Sequence, residues 1–190
     1  MIPYPRHLWL NSLPMQADGI WTNIFRLSQR KQSLAEILQN VPLFRDLSPK
    51  ELRTLERVVH IRSYQPGETV FVETEPGAGM YVIRAGRVDI VLKHKSDQPI
   101  LLAELEPGDF FGEMALLGDS SRSATAVARE RSELIGFFHP DLLEIISLHP
   151  AMGAKISFGL AKTLSDRLRY TNSQLREVWE IRGPHEEPVR

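Results

Sequence analysis

Two periodicities divide this chain. Between residues 59 and 138, apolar and polar positions alternate in short runs punctuated by glycine and proline. Such alternation predicts strands at 59–64, 69–73, 80–84, 87–94, 100–105, 123–129 and 132–138. Val88, Ile90 and Leu92 alternate with Asp89, Val91 and Lys93, the pattern of a half-buried strand. Pro66-Gly67, Pro76-Gly77, Ala85-Gly86 and Pro107-Gly108 supply the turns, and their dense, regular spacing predicts a compact β-roll or barrel. Gly77-Ala78-Gly79 leads into Met80-Tyr81-Val82-Ile83, which is strand-like. It is therefore neither a P-loop nor a dinucleotide fingerprint.

On both flanks the apolar period lengthens to three or four. Ile20, Trp21, Ile24, Phe25 and Leu27 predict a helix over 20–31, with Arg26, Arg30 and Lys31 around it. Leu34, Ile37 and Leu38 continue as a second short helix ending before Val41-Pro42. Ser48-Pro49-Lys50-Glu51 is a helix start, with a capping serine, a proline in the first turn and a capping-box glutamate. That helix should run to about Val58. His139-Pro140-Asp141 opens a helix to Leu148, and His149-Pro150 a longer one to about Ile181, with both histidines assigned to local capping. The longer one would span roughly 45 Å, with Gly153 and Gly159 weakening its first turns. Along it Ala161, Leu164, Leu168, Thr171, Leu175 and Val178 repeat at 3-4 spacing, which predicts a parallel homodimer seam; packing on the chain's own domain is the competing account. Residues 1–19 read as an arm and 183–190 as a disordered tail.

Composition narrows the chemistry. The 190 residues suit one domain with appendages, and a net charge of −1 gives no global pull toward nucleic acid. There is no cysteine, hence no disulfide framework or thiol catalysis. His7, His60, His94, His139, His149 and His185 form no metal-binding spacing, and Ser120, Ser121 and Ser123 have no triad context. No apolar run approaches the ~20 residues of a membrane span. The expectation is a soluble, cytoplasmic protein that is not an enzyme and holds no metal. The basic, amphipathic 20–31 segment suits packing on its own domain or a dimer mate, with peripheral membrane contact or a protein partner as the other reading.

The most specific stretch is FGEMALLGDSSRSAT, residues 111–125. Glu113 and Arg122 sit in otherwise apolar surroundings, nine positions apart. An acceptor-only carboxylate and a five-donor guanidinium suit a sugar hydroxyl beside a phosphate. Gly112 lets backbone approach closely, and a short turn from Glu113 to Leu117 offers N–H groups to an anion. An internal salt bridge in a β-rich domain is the bland account of the same residues.

Phe111, Gly112, Glu113, Ala115, Leu116, Arg122, Ala124 and Thr125 resemble the phosphate-binding cassette of cyclic-nucleotide-binding domains, in register. The glycine rhythm Tyr64-x-x-Gly67, Met80 to Val88 and Pro107-Gly108-Asp109-Phe110 extends the resemblance over roughly residues 40–165. Two positions depart from the family pattern: Ser121 stands where proline is usual, and Thr74 where glycine is common. The resemblance implies an α+β fold, a jelly-roll-like β-roll flanked by N-terminal helices and a long C-terminal helix. It divides the chain into 1–39 (arm and amphipathic helices), 40–149 (cyclic-nucleotide-binding β-roll with short helices), 150–182 (lid and dimerisation helix) and 183–190 (tail).

It further implies that the ligand is cAMP or cGMP. Arg122 would pair with the cyclic phosphate and Glu113 would accept the ribose hydroxyl. Phe111, Gly112, Met114, Ala115 and Ala124 would complete the cassette, with the Met114 and Ala115 amides as donors. Ser123 would offer a hydroxyl to the phosphate or to a guanine amino group. Thr163, Arg167 and Tyr170 on the long helix would face the base, with Arg167 over the purine or as a solvent-facing charge. Only about nine residues follow Ile181, so no major-groove reader is expected there, and output would pass through a dimer, the arm or another protein. The rivals are a partner-binding module with a degenerate, empty pocket, and a cupin-type enzyme, which the absence of a histidine cluster disfavours.

Overall fold

The computed structural model describes residues 32–92, 99–118 and 121–182. The arm, the 20–31 segment, the 183–190 tail and His7, His94, Ser120 and His185 lie outside them. Helix α1 (Leu34–Asn40), a 3-10 turn (Pro42–Phe44) and α2 (Pro49–Val58) precede eight strands. These are β1 (His60–Tyr64), β2 (Thr69–Phe71), β3 (Gly79–Ala85), β4 (Val88–Leu92), β5 (Ile100–Leu105), β6 (Phe110–Phe111), β7 (Thr125–Ala128) and β8 (Ser132–Phe138). A five-residue 3-10 helix, Glu113–Leu117, follows β6, and α3 (His139–Leu148) and α4 (Pro150–Arg182) follow β8.

The strands form two antiparallel four-stranded sheets, ordered β1-β8-β3-β6 and β2-β7-β4-β5. Among the described residues no ladder joins the sheets, so of the expected roll or barrel they form the roll, facing each other without closing into a barrel. Two of the four edge strands are short, β6 with two residues and β2 with three. Strand β6 was not anticipated, because two residues carry no period. The predicted runs at 69–73 and 123–129 shorten to β2 and β7, and β4 stops at Leu92 within the described residues.

Alternation in β3 and β8 gives the roll two cores. Met80 and Val82 of β3, with Ile135 and Phe137 of β8, face the helices and pack with Leu38, Phe44, Leu55, Leu142, Ile156 and Leu160. Ile83 and Leu134 face the other way and pack with Tyr64, Val88, Phe111, Ala126 and Ala128 between the sheets. Helix starts follow the sequence signals: Ser33 and Ser48 each accept from the amide three residues on, and Glu36 and Glu51 each accept from the serine amide.

Two glycines expected to weaken α4 instead seat it. A Cβ on Gly153 would lie 2.8 Å from Ile146 of α3, and one on Gly159 would lie 2.7 Å from the Leu43 carbonyl oxygen. Only glycine lets α4 approach both neighbours. Of the two histidines assigned to capping, His149 keeps that role and His139 does not. His149 is the C-cap of α3, its N–H donating to the Ile145 carbonyl at 2.8 Å. His139 is the first residue of α3, and its Nδ1 lies 2.7 Å from the Leu116 carbonyl oxygen, so it ties α3 to the 3-10 helix at 113–117. A carbonyl only accepts, so this nitrogen carries the hydrogen.

Candidate functional site

Where the sheets part, a cavity of about 630 Å³ opens between β4, β5, β6, the 112–115 turn, the 121–124 segment and α4. That volume suits a small organic ligand. Ile90, Leu92, Leu102 and Leu105 form its apolar wall, so the half-buried β4 pattern lines a cavity instead of a closed core.

The polar wall is assembled locally. Gly112 has φ +78°, a left-handed conformation that starts the 3-10 helix, and a Cβ there would sit 2.7 Å from Arg122 Nη1. Glycine is thus required twice at this position. Arg122 is fixed through its backbone by the 72–76 turn: its N–H donates to the Glu75 carbonyl at 2.9 Å, and the Thr74 N–H donates to its carbonyl at 2.8 Å. Pro76 and Ser121 bridge beside it, so serine occupies the departure position without opening the turn. The Arg122 side chain is 7% exposed. Nη1 donates to the carbonyls of Gly79 (2.7 Å) and Gly112 (3.2 Å), while Nε is buried without a partner. Burial pushes its guanidinium below the ordinary arginine value, while Tyr81 and Glu113 push it back.

Glu113 is 1% exposed and neither carboxylate oxygen has a hydrogen-bond partner. A buried charge in this condition is costly unless something else meets it. What meets it here is Arg167 of α4, whose Nη1 lies 3.1 Å from Oε1 as an ion pair without hydrogen-bond alignment. Arg167 Nη2 also donates to the Phe110 carbonyl at 3.3 Å, and its guanidinium carbon lies 5.3 Å from the Phe110 ring centroid.

The cavity therefore brings together Phe111, Gly112, Glu113, Met114, Ala115, Arg122, Ser123, Ala124 and Arg167. Thr163 is buried with an unpartnered hydroxyl but is not among the lining residues; Tyr170 and Thr171, farther along α4, are. The Ala115 amide already donates to the Gly112 carbonyl at 3.2 Å. Sequence reasoning missed the Arg167–Glu113 pair and Phe71, which reaches the cavity from β2. Among the described residues no cluster of histidine, aspartate or glutamate could hold a metal ion, and no helix is long and apolar enough to cross a membrane.

The sequence model of the cyclic nucleotide-binding domain matches residues 61–149. Over 138 residues, 73% of this chain, the sequence is 35% identical to the cyclic AMP receptor protein of Thermus thermophilus, of which the match covers 62%. The crystal structure of the Thermus thermophilus catabolite activator protein superposes with a TM-score of 0.65 at 35% identity, covering 72% of this chain and 62% of that one. The N-terminal domain of a transcriptional regulator from Streptomyces coelicolor superposes with a TM-score of 0.63 at 27% identity, covering 73% of this chain and 94% of that one. The chain thus spans less than two thirds of the Thermus relative.

Proposed function

Through residues 61–149 the chain belongs to the cyclic nucleotide-binding domain family, and from that premise we propose that it is a regulatory sensor that takes a cyclic mononucleotide into the cavity between its sheets and α4. One observation carries this reading. A buried arginine and a buried glutamate line the same cavity with hydrogen-bonding capacity left open, at Arg122 Nε and at both oxygens of Glu113. A phosphate beside a sugar hydroxyl meets both requirements, since the phosphodiester charge pairs with the guanidinium and the hydroxyl donates to the carboxylate. Ser123, exposed at the cavity rim, adds a hydroxyl. The cAMP assignment precedes cGMP because the Thermus relative is named for cyclic AMP; Ser123 is compatible with either base.

Output runs through α4. Arg167 joins this helix to the carboxylate that takes the ligand hydroxyl, so occupancy favours one placement of α4 by as much as the ligand's affinity differs between placements. Leu168 (61% exposed), Leu175 (55%) and Trp179 (55%) stand at spacings of seven and four on the outer side of α4, which supports a homodimer through this helix. Leu164 packs against the chain's own core, so the seam draws on the outer leucines. The domain division given above is retained in this reading, with 150–182 as lid and dimer helix.

The pair Arg167–Glu113 also favours one alternative, a partner-binding module whose pocket stays empty because its own arginine fills the carboxylate's need. Calorimetry and thermal shift on the full chain separate the two. At 100 times its Kd, cAMP stabilises the fold by about 2.7 kcal/mol. Arg122→Ala weakens binding by about 1.5–3 kcal/mol and leaves the fold intact. No shift with cAMP or cGMP at millimolar concentration overturns the sensor.

A further inference from the structure

We propose that Phe71 is a positioning residue for the phosphate site: its ring supports one face of the Arg122 guanidinium and holds the open Nε–Nη2 edge toward the cavity. This rests on the reading above and adds a residue to which neither the cassette resemblance nor its spacing points. Phe71 lies on β2, about fifty residues before Arg122, and its ring centroid is 3.9 Å from the guanidinium carbon. That is well inside the range of a cation–π contact.

The geometry accounts for Nη1 and Nε of the arginine. Nη1 spends its hydrogens on the carbonyls of Gly79, on β3, and Gly112, at the start of the 3-10 helix. These two acceptors fix one end of the guanidinium plane. Phe71 covers a face of that plane and is itself wedged by Tyr81 (6.1 Å between centroids) and Phe111 (5.7 Å). Gly112 completes the nest: a Cβ there would lie 2.7 Å from Arg122 Nη1 and 3.5 Å from Phe71 Cε1. What remains open is Nε, which is buried and unpartnered, on the guanidinium edge it shares with Nη2. That edge matches two oxygens of one phosphodiester in a bidentate contact. Without the ring, the guanidinium can tilt about its anchored end, and ordering it again opposes binding.

The test compares Phe71→Leu, which keeps apolar volume without a π face, with Phe71→Tyr, which keeps the face. In full-length protein labelled with ¹⁵N-arginine, the Arg122 Hε resonance, assigned with Arg122→Lys, lies upfield from the ring current even without ligand. It moves downfield in Phe71→Leu and stays in Phe71→Tyr. By calorimetry, Phe71→Leu binds cAMP about 2- to 30-fold more weakly than wild type, and Phe71→Tyr restores the affinity. An Arg122 Hε resonance that is the same in wild type and Phe71→Leu overturns the proposal, as does wild-type cAMP affinity in Phe71→Leu. A wild type that binds no cyclic nucleotide instead overturns the sensor reading, while the resonance still decides the stacking.

Discussion

Thr74 is a β-branched residue with φ +72°, among the described residues the one non-glycine in the left-handed region. Its Cβ there crowds the following carbonyl, at a cost of about 1–2 kcal/mol. Its side chain is exposed, so removing it forfeits little burial. Its N–H donates to the Arg122 carbonyl at 2.8 Å, a bond that any residue at this position keeps. Thr74→Gly relieves the strain but frees the unfolded chain, which offsets about 0.4–1 kcal/mol. The net expectation is a stabilisation of about 0.5–1 kcal/mol, or roughly 1–4 °C in Tm for a chain of this size. Thr74→Asn should gain similarly, since asparagine tolerates this conformation, whereas Thr74→Ala keeps the Cβ and should change Tm little. Differential scanning calorimetry of the three variants decides the matter. A Thr74→Gly protein no more stable than wild type, or an alanine variant that gains as much as the glycine, refutes the strain argument. Affinity for cAMP should survive Thr74→Gly, because the turn still grips the Arg122 backbone.

Gly159→Ala, ordinarily favourable in a helix, should here destabilise by about 1–3 kcal/mol in urea unfolding, because its Cβ meets the Leu43 backbone at 2.7 Å. Lys155 Nζ donates to Glu51 Oε1 and Oε2 at 3.0 and 2.8 Å, and with Ser48 it holds the Glu51 carboxyl down from 4.5 to about 2. A carboxyl depressed in the folded state contributes stability above pH 4.5 that is lost as pH falls toward 2. Lys155→Met should therefore show a shallower acid loss than wild type in that window, and parallel curves refute the linkage. Leu168→Asp with Leu175→Asp should give monomers by light scattering, and a wild type already monomeric at high micromolar concentration removes the dimer.

The grouping of Gly112, Glu113, Ala115 and Arg122 on one cavity wall was legible because it is local: they lie within one short run. The turn glycines were legible for the same reason, with Gly67, Gly86 and Gly108 all at positive φ. What escaped depends on residues far apart in sequence. Gly153 and Gly159 read as weak helix formers because the backbone they admit belongs to Ile146 and, more than a hundred residues away, Leu43. His139 read as a cap because its acceptor, Leu116, lies 23 positions earlier. Arg167 read as a purine stacker or a solvent-facing charge, since nothing near it in sequence announces Glu113. The roll itself was legible in the dense turns, while the two-residue β6 escaped because it is too short to leave a period.

If α4 carries the output by pivoting at its Gly159 seat, the helix acts as a lever. From Gly159 to Arg182 the axis runs about 35 Å at ~1.5 Å per residue. Arg167 grips it about 12 Å from that fulcrum, roughly a third of the way out. A shift of about 2 Å at Arg167, the size of a remade ion pair, is a tilt of about 10° and carries the far end about 6 Å. A partner holding the distal turns would thus feel a displacement three times larger than the one at the carboxylate, with no element between them needing to change its own conformation.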